Sequence, residues 1–284
     1  MHKPTRVSFV IPVYNEADRI ADCLRAIAAQ TVLPYEVIVV DNNSTDHTAG
    51  LAMLFPFVRL VHEKRQGVVY ARDRGFSAAR GDIIARIDAD TIIPIGWTET
   101  LIDIFADPTI HLVTGSVDIR EIAAPRLASG IDLFWRRYLD RRLGTQIGLQ
   151  GANMALRRTV WKAIKHEVCH DRGLHEDFDI GIHANQHGFT ACFTEELRAS
   201  VCHRQLDAGF KDFADYALTS PRTYLAHGIR KGRIMYRVVA FVLVLYPIIY
   251  VMSRGYDQTT GRFSLLTFFA ATLPPRVNPA TFVD

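Results

Sequence analysis

The sequence predicts an α/β fold built on a doubly wound, mostly parallel sheet. From residue 7 to about residue 120, short apolar runs alternate with helical patterns, as expected for strand–helix–strand units. Polar residues follow three of the predicted strands, and ligands bind at this edge of the sheet in such folds. Hydrophobic residues make up 49% of the 284 residues and charged residues 22%, so the chain can bury a substantial core.

The predicted elements alternate in type along this region. Residues 7–13 are apolar apart from Ser8 and Pro12, which predicts a buried first strand. In residues 18–30, Ile20, Leu24 and Ile27 recur at helical spacing, which predicts an amphipathic helix. We further predict strands at 36–40, 58–61, 83–87 and 112–117, a helix capped by Ser44 or Thr45 and ending near residue 54, and a helix over about 69–80 stopped by Gly81.

The composition excludes several classes of protein. The hydrophobic content excludes wholesale disorder, and a net charge of +3 is too small to indicate a nucleic-acid partner. The chain enters its first strand without a signal-peptide segment, and its four cysteines show no paired spacing, so we expect reduced thiols in the cytosol. A zinc site is an alternative that irregular spacing does not favour, with the ligands Cys169, His170, His175 and Cys202.

The tripeptide Asp88-Ala89-Asp90 directly follows the predicted strand at 83–87. Two carboxylates at a strand end offer hard oxygen ligands, which suit a divalent cation that also binds phosphates. Asp41 follows the strand at 36–40, where its carboxylate can accept a hydrogen bond from a base or ribose, or cap a turn. Arg72 lies near a helix start that follows a glycine, where it can bind phosphate or remain solvated.

Together these motifs resemble the family 2 glycosyltransferases of the GT-A fold. The resemblance covers residues 6 to 205 and rests on five ordered segments: 9–16 (FVIPVYNE), 39–46 (VVDNNSTD), 88–90 (DAD), 151–155 (GANMA) and 175–177 (HED). It implies a Rossmann-like GT-A fold and a nucleoside-diphosphate-sugar donor of the UDP or GDP type. It also implies a divalent cation, Mn²⁺ or Mg²⁺, as cofactor.

The resemblance also implies roles for individual residues. Asp177 would be the catalytic general base, with Glu176 beside it. Asp90 would ligate the cation together with Asp88, and His203 is a further candidate ligand. Gly151 and Asn153 would lie on the acceptor side, and the donor nucleotide would contact Pro12, Val13, Tyr14, Glu16, Asp41, Arg72, Asp88 and Ala89.

A base and a cation fit the chemistry of glycosyl transfer. An acceptor hydroxyl is barely acidic, so a carboxylate must take its proton as the bond to the sugar C1 forms. A divalent cation neutralises the charge that develops on the diphosphate leaving group. With Asp177 opposite the diphosphate, the reaction would invert C1, and we expect Glu176 and Asp179 to raise the pKa of Asp177.

Three features depart from the common family pattern. Asn42 stands where a second aspartate is usual, which leaves the preferred base open. Asp73 stands where an asparagine usually follows the arginine. The Gln-x-x-Arg-Trp motif of processive synthases is missing, so transfer of a single sugar is favoured over polymerisation.

The C-terminal part combines basic and apolar segments. Arginine and lysine residues flank the apolar run 238–252, which is shorter than the roughly 18–20 residues of a full membrane span. A second apolar stretch covers residues 263–273. This pattern favours attachment to a membrane surface. The alternative is a helix that packs on the catalytic domain or at a dimer interface.

We therefore expect a GT-A catalytic domain at 1–215, with a nucleotide-sugar-binding half at about 1–118 and an acceptor half at about 119–215, and a membrane-associating region at 216–284. The expected enzyme is a metal-dependent, inverting, non-processive glycosyltransferase with a lipid-linked or glycan acceptor. It would act at the cytoplasmic face of the inner or plasma membrane, without a nucleic-acid partner and with oligomer formation left open.

Two other function classes remain as alternatives. One is a haloacid-dehalogenase-like phosphohydrolase that uses Asp88 and Asp90, although that family has the motif after its first strand rather than its fourth. The other is a non-catalytic nucleotide-sugar-binding protein, against which the retained Asp90 and Asp177 argue.

Overall fold

The computed structural model describes residues 5–146, 148–202, 209–257 and 260–270. In these ranges a seven-stranded sheet packs between helices, and a helical region follows it. The strands are β1 (Val7–Val13), β2 (Glu36–Asp41), β3 (Val58–His62), β4 (Ile83–Arg86), β5 (Leu112–Arg120), β6 (Met154–Arg157) and β7 (Ala191–Cys202), with a small hairpin of β8 (Tyr256–Asp257) and β9 (Arg262–Phe263). The helices are α1 (Ile20–Ala28), α2 (Thr48–Met53), α3 (Val68–Ala78), α4 (Trp97–Ile104), α5 (Pro125–Leu143), α6 (Arg158–Ile164), α7 (Glu176–Gln186), α8 (Phe210–Ala226), α9 (Ile234–Arg254) and α10 (Leu265–Ala270).

The sheet has the strand order β3-β2-β1-β4-β6-β5-β7. β1 to β4 are mutually parallel where they pair, and β5 runs parallel to β7. β6 lies between β4 and β5 and is antiparallel to both. The predicted doubly wound, mostly parallel sheet is confirmed. The insertion of one antiparallel strand is a feature that the sequence pattern did not predict.

Alternate residues of β1 face opposite sides of the sheet, so the core has two layers. Phe9 packs on one side against Trp97 of α4, with ring centroids 5.4 Å apart. Val10 faces the other side, where α3 approaches so closely that a Cβ at Gly75 would collide with the Val10 side chain. The two layers bury both faces of β1, so the loop after β1 begins from a fully packed strand.

Two predicted helix boundaries were wrong in detail. α2 begins at Thr48, not directly after Ser44 or Thr45, because the segment before it is used to join two strand-end loops. α3 ends at Ala78, and Gly81 is not its stop residue. Instead, Gly81 allows close approach to β1: a Cβ there would lie 2.6 Å from the Ser8 hydroxyl.

The C-terminal helices pack on one another and on the sheet domain. The domain boundary predicted at residue 215 falls inside α8. The segment Arg230–Arg254, which contains α9, is long and apolar enough to cross a membrane. Its most apolar 18 residues have a mean hydropathy of 2.1, and 17% of them are buried. Met235, Val239 and Tyr246 form the buried side of α9.

Candidate active site

The loops that follow β1 and β2 are joined by hydrogen bonds. The Asn15 backbone N–H donates to the Ser44 hydroxyl at 3.1 Å, and the Thr45 N–H donates to the Asn15 side-chain oxygen at 2.8 Å. The backbone N–H of the buried Glu16 donates to the Thr48 hydroxyl at 2.7 Å. Asn15 has a φ of 53°, a left-handed conformation that asparagine tolerates better than most residues. These hydrogen bonds hold the loop that follows Pro12, Val13 and Tyr14 in place.

Asp41 lies at the last position of β2, level with Val13 of β1. Its carboxylate is 7% exposed, accepts a hydrogen bond from the Ser44 N–H at 3.2 Å, and lies 3.2 Å from Nδ1 of His62. The structure thus brings Asp41 beside the β1 loop, as the sequence predicted. Both readings of Asp41, turn cap and base-recognition residue, are compatible with this position.

Asn42 has a structural use for its amide. Its Nδ2 donates to the carbonyl oxygens of Glu63 at 2.9 Å and Arg65 at 2.7 Å, and its Oδ1 accepts from the Gly67 N–H at 2.7 Å. An ionised aspartate has no proton to donate to the two carbonyls. The departure from aspartate at this position is therefore explained by the loop that Asn42 holds in front of α3.

Asp88, Ala89 and Asp90 form the turn that follows β4. Arg86 of β4 pairs with Val10 of β1, and this register places Asp88 beside the end of β1. The Asp88 side chain is 42% exposed and lies 3.3 Å from a guanidinium nitrogen of Arg86. Asp90 is 8% exposed, and its carbonyl accepts a hydrogen bond from Arg120 at 2.6 Å. Ala89 is buried in the apolar core, so only its backbone can contact a ligand.

Glu176 and Asp177 begin α7 and face the same arginine as Asp88. Asp177 forms a close ion pair with Arg86, and its other carboxylate oxygen accepts from the Gly151 N–H at 2.8 Å. A Glu176 carboxylate oxygen lies 3.5 Å from Arg86. The structure therefore joins three of the predicted residues, Asp88, Glu176 and Asp177, around one guanidinium.

The pKa values of the neighbouring carboxyl groups of Asp177 and Glu176 are shifted in opposite directions. Burial raises the pKa of Asp177 to about 6, Arg86 opposes this rise, and Glu176 adds to it. Burial also acts to raise the pKa of Glu176, but His175, Arg86 and Arg72 outweigh it and hold that pKa below its usual value. Asp177 is therefore the group that exchanges a proton near neutral pH, and Glu176 is the group that stays charged.

Asp179 does not share this site, contrary to the sequence-based expectation. Residues two apart on a helix point to different faces, and Asp179 faces Cys169, His183 and His227. The expected contribution of Asp179 to the pKa of Asp177 is therefore wrong, since burial is the main cause and Glu176 is the carboxylate that adds to it.

Arg72 is fully buried and holds the first turn of α7. Its guanidinium donates to the Glu176 carbonyl at 2.7 Å and to the Asp73 carboxylate at 2.7 and 2.9 Å. Asp73 also lies 2.8 Å from His170. The aspartate that replaces the usual asparagine thus gives the buried arginine a charged partner. In this structure Arg72 supports Glu176 and Asp177 rather than lining an open pocket.

Gly151 and Asn153 have different surroundings. A Cβ at Gly151 would collide with Arg86 and with the Asp177 carboxylate, so the ion pair requires glycine here. The Asn153 side chain is fully buried, donates to the carbonyls of Ser116 at 2.8 Å and Leu197 at 2.7 Å, and accepts from the Trp97 indole at 3.2 Å. Gly151 therefore borders the site, and Asn153 fixes β5, β7 and α4 beneath it.

The sequence suggested two other sets of metal ligands, His203 at the cation site and the four residues of a zinc site. His203 lies outside the described residues. The four zinc ligands considered from the sequence do not come together, because His170 pairs with Asp73 and His175 stacks on Phe178 with centroids 4.4 Å apart. Cys169 instead has His183 and His227 as neighbours.

Arg86 is the site residue that sequence reasoning missed. It stands within an apolar strand, where it was counted as part of the run 83–87. Its side chain is 3% exposed, and burial acts to lower its pKa while Asp177, Asp88 and Glu176 raise it above the ordinary value. A charged residue inside a buried strand was the available signal, because such a charge is rarely buried without a partner.

The sheet topology is that of the GT-A fold, as the sequence resemblance implied. The sequence profile of glycosyl transferase family 2 matches residues 8–164, more than half of the chain, and the protein therefore belongs to this family. The predicted enzyme class is thereby confirmed, and the phosphohydrolase alternative is wrong.

Similar curated proteins are also named as glycosyltransferases. The glycosyltransferase AglE of Haloferax volcanii is 31% identical over 161 residues, which cover 54% of this chain and 53% of AglE. The uncharacterized glycosyltransferase YibD of Escherichia coli is 30% identical over 122 residues, covering 42% of this chain and 36% of YibD. The chain thus matches about half or less of the length of these relatives.

Solved structures share the fold. The mannosyltransferase PcManGT from Pyrobaculum calidifontis, in complex with GDP-Man and Mn²⁺, has a TM-score of 0.63 at 22% identity and covers 93% of this chain and 78% of its own. Glucosyl-3-phosphoglycerate synthase from Mycobacterium tuberculosis, in complex with Mn²⁺, UDP and glucosyl-3-phosphoglycerate, has a TM-score of 0.52 at 23% identity and covers 77% and 80%. At these identities the likeness shows a common fold.

Proposed function

We propose that this protein is a metal-dependent, inverting glycosyltransferase that transfers a single sugar from a UDP- or GDP-sugar to an acceptor hydroxyl. The observation that carries the proposal is the position of Asp177. Its carboxylate is held by the Gly151 N–H and by Arg86, beside the Asp88 side chain at the end of β4. A base and the donor-binding edge of the sheet are thus within one site.

The donor would bind across the ends of β1, β2 and β4. Tyr14 and Glu16 lie in the loop after β1, and Asp41 ends β2 beside them. We expect the base and the ribose to bind at this loop region. The diphosphate would bind at Asp88 and Asp90 through the divalent cation that these carboxylates hold. The structures of PcManGT with GDP-Man and of the glucosyl-3-phosphoglycerate synthase with UDP support a nucleotide-sugar donor for this fold.

The donor set at Asp88 and Asp90 fits a divalent cation. Carboxylate oxygens are the ligands that Mg²⁺ and Mn²⁺ prefer, and the Asp88 side chain is partly open to solvent. When bound, the cation would neutralise charge on the departing diphosphate. The two structures named above contain Mn²⁺, which supports this assignment.

Asp177 would accept the proton of the acceptor hydroxyl. As the proton leaves, the hydroxyl oxygen forms a bond to C1 of the sugar, and the bond between C1 and the diphosphate oxygen breaks on the opposite face. This displacement inverts the configuration at C1. Arg86 keeps a positive charge beside Asp177 and so favours its ionised form, which is the form that can take a proton.

Membrane attachment would bring the site to a lipid-linked acceptor. Phe241, Val244, Ile248 and Val251 are exposed and recur at three- and four-residue intervals, so they form one face of α9. The exposed basic residues next to this face are Arg230, Lys231, Arg233 and Arg237. An apolar helix face with adjacent cations fits an anionic membrane surface, which supports a location at the cytoplasmic side of the membrane.

A donor screen tests the proposal. Purified protein is incubated with UDP- and GDP-sugars with Mn²⁺, with Mg²⁺ or with EDTA, and release of the nucleoside diphosphate is measured. We expect release that requires the cation and is lost in Asp90→Ala. The matched control is Asp118→Ala, which removes an exposed acid from β5. Release that continues in EDTA and in Asp90→Ala would exclude a cation at this site.

The base is tested with Asp177→Asn and an acceptor hydroxyl. We expect a loss of transfer of roughly 10²–10⁴-fold, the usual contribution of a general base. Asp171→Asn, an exposed acid in the loop before α7, serves as control. Full transfer by Asp177→Asn would reject this base, and a product that retains the donor's anomeric configuration would reject inversion.

A further inference from the structure

Four side chains that commonly bind metals converge on a face of α7 that does not carry Asp177. Cys169 lies in the loop before α7, Asp179 and His183 lie one turn apart on α7, and His227 caps the end of α8. Their sulfur, oxygen and nitrogen atoms lie within 4.8 Å of one another. The proposed glycosyl transfer uses none of these four residues.

The cluster is shielded from solvent. The side chains of Asp179, His183 and His227 are 1%, 10% and 11% exposed, and Cys169 is half-buried. Burying a carboxylate is costly unless charge or hydrogen bonds compensate for the lost water. A cation bound by all four residues would provide that compensation directly.

The distances between the ligand atoms are close to those of a tetrahedral ion. Cys169 Sγ lies 3.9 Å from His183 Nε2 and 4.0 Å from His227 Nε2, and Asp179 Oδ1 lies 3.4 and 2.8 Å from the same two nitrogens. Two ligands of one tetrahedral Zn²⁺ are roughly 3.2–3.6 Å apart, given bonds of about 2.0–2.3 Å. The four distances depart from these separations by about 0.5 Å or less, and since all four ligand atoms lie within 4.8 Å of one another, side-chain shifts of about 1 Å would complete the coordination.

Neighbouring groups orient the ligands for this purpose. The Cys169 N–H donates to Asp179 Oδ2 at 2.8 Å, which leaves Oδ1 directed at the two histidines. The buried Nδ1 of His183 makes no hydrogen bond within the described residues, and the Glu167 carboxylate lies 3.8 Å from it. When Nε2 of a histidine binds a metal, Nδ1 carries the proton and commonly donates it to a carboxylate. Glu167 is placed for that role.

We propose that Cys169, Asp179, His183 and His227 bind one structural Zn²⁺. One thiolate, two imidazoles and one carboxylate are typical zinc ligands, whereas the Asp88–Asp90 pair offers the hard oxygen atoms that Mn²⁺ or Mg²⁺ prefers. Four protein ligands leave no position for a substrate, so the site stabilises structure. The protein would thus hold two metals of different kinds in two separate places.

The zinc site would fix α7 to α8 and to the preceding loop. α8 already contacts the start of α7, because the Thr223 hydroxyl accepts from the His175 N–H at 2.7 Å and the Tyr216 hydroxyl lies 3.3 Å from the His175 ring. A bond network from His227 to Asp179 adds a second fixed point one turn further along. Asp177 lies between these two points, so its position would depend on the metal.

Metal analysis of the purified full chain, after removal of any affinity tag, tests the proposal. We expect about one zinc per chain in the wild type and almost none in the His183→Ala/His227→Ala double variant. His47→Ala is the matched control, because His47 is an exposed histidine at the residue before α2 and takes no part in the proposed zinc site. Asp90→Ala should also keep its zinc, so this result stands apart from the test of the transferase.

Cobalt replacement gives a readout that does not depend on stability of the double variant. Folded wild-type protein with Co²⁺ should show the ligand-field bands of tetrahedral coordination and a thiolate-to-cobalt charge-transfer band. Cys169→Ser should lose the charge-transfer band and keep cobalt. The proposal is overturned if folded wild type takes up neither Zn²⁺ nor Co²⁺, as expected if both histidines only donate hydrogen bonds to Asp179. Zinc retained by the double variant would overturn it as well.

Discussion

Arg86 and Asp177 lie 91 positions apart in the sequence and form a buried ion pair. Arg86 belongs to β4 and Asp177 to α7, so the pair joins the sheet edge proposed to bind the donor to the helix that carries the proposed base. The side chains are 3% and 4% exposed. At such depth a charge remains stable only beside its partner, which makes the protonation of Asp177 depend on Arg86.

The first prediction concerns the pH dependence of transfer. Burial raises the pKa of Asp177 to about 6, and a general base works only when it is unprotonated. Activity should therefore be lost as the pH falls through about 6 and should level off above it. Since Arg86 lowers the pKa of Asp177, Arg86→Gln should move this acidic limb to higher pH by about one unit or more.

The measurement is kcat/KM against pH for the wild type and two variants. Arg86→Lys is the matched control, because it keeps a positive charge and should leave the acidic limb closer to its wild-type position. An acidic limb that stays in place in Arg86→Gln, or moves to lower pH, contradicts the proposed coupling.

The second prediction distinguishes two roles of Arg72. The family resemblance implies contact with the nucleotide, whereas the structure places the guanidinium on the Glu176 carbonyl, fully buried. If Arg72 positions α7, Arg72→Gln should lower kcat roughly 10- to 100-fold, because the base is displaced. The donor Kd should change by less than about threefold.

Calorimetric titration of the nucleoside diphosphate, together with steady-state rates, separates the two roles. Asp73→Asn removes the charged partner of Arg72 and introduces the usual family residue. It should lower the free energy of unfolding and leave the donor Kd nearly unchanged. A large loss of donor affinity in Arg72→Gln with kcat unchanged supports direct nucleotide contact instead.

The sequence predicted the parallel half of the sheet and the three strand-end motifs well. β1, β2 and β4 are largely apolar and each leads into polar residues, and such a pattern is decided locally by the residues of the segment itself. The antiparallel β6 was not predicted, because its four residues acquire a partner only through contacts with β4 and β5.

Side-chain direction was the harder part of the site. Glu176, Asp177 and Asp179 are adjacent in sequence, and their division between two faces of α7 became clear only once the helix start at Glu176 was known. Asn153 and Arg72 were identified as site residues, and both turn out to be buried supports. A motif names the residues near a site, while the packing decides which of them reach its surface.

The third prediction concerns Asn42. Asn42→Asp replaces a donor to two carbonyl oxygens by a carboxylate that repels them, so it should lower the free energy of unfolding by about 1–3 kcal/mol. The preference between UDP and GDP should not change, because the amide atoms are occupied by the loop before α3. Thermal denaturation and donor competition measure the two effects.

Asn43→Asp is the graded control, since Asn43 is exposed and its amide donates to the Lys64 carbonyl. It should cost less stability than Asn42→Asp. A switch of base preference in Asn42→Asp, with stability unchanged, shows that position 42 faces the nucleotide.

The last prediction concerns α9 and the membrane. Val244 and Ile248 are 76% and 58% exposed and lie one turn apart, on the face opposite to the buried Met235, Val239 and Tyr246. Each such side chain contributes about 1.5–3 kcal/mol when it leaves water. The variant Val244→Glu/Ile248→Glu should therefore reduce binding to phosphatidylglycerol vesicles by about tenfold or more.

Met53→Glu/Leu54→Glu is the matched control, since it adds the same charges at exposed apolar positions at the end of α2. Vesicle sedimentation of the wild type should weaken in high salt and on neutral phosphatidylcholine vesicles, because Arg230, Lys231, Arg233 and Arg237 act through charge. Equal sedimentation of both double variants rejects α9 as the attachment surface. Contact of this face with a second copy of the chain is then tested by the oligomeric state, because a dimer held by this face would dissociate in the Val244→Glu/Ile248→Glu variant.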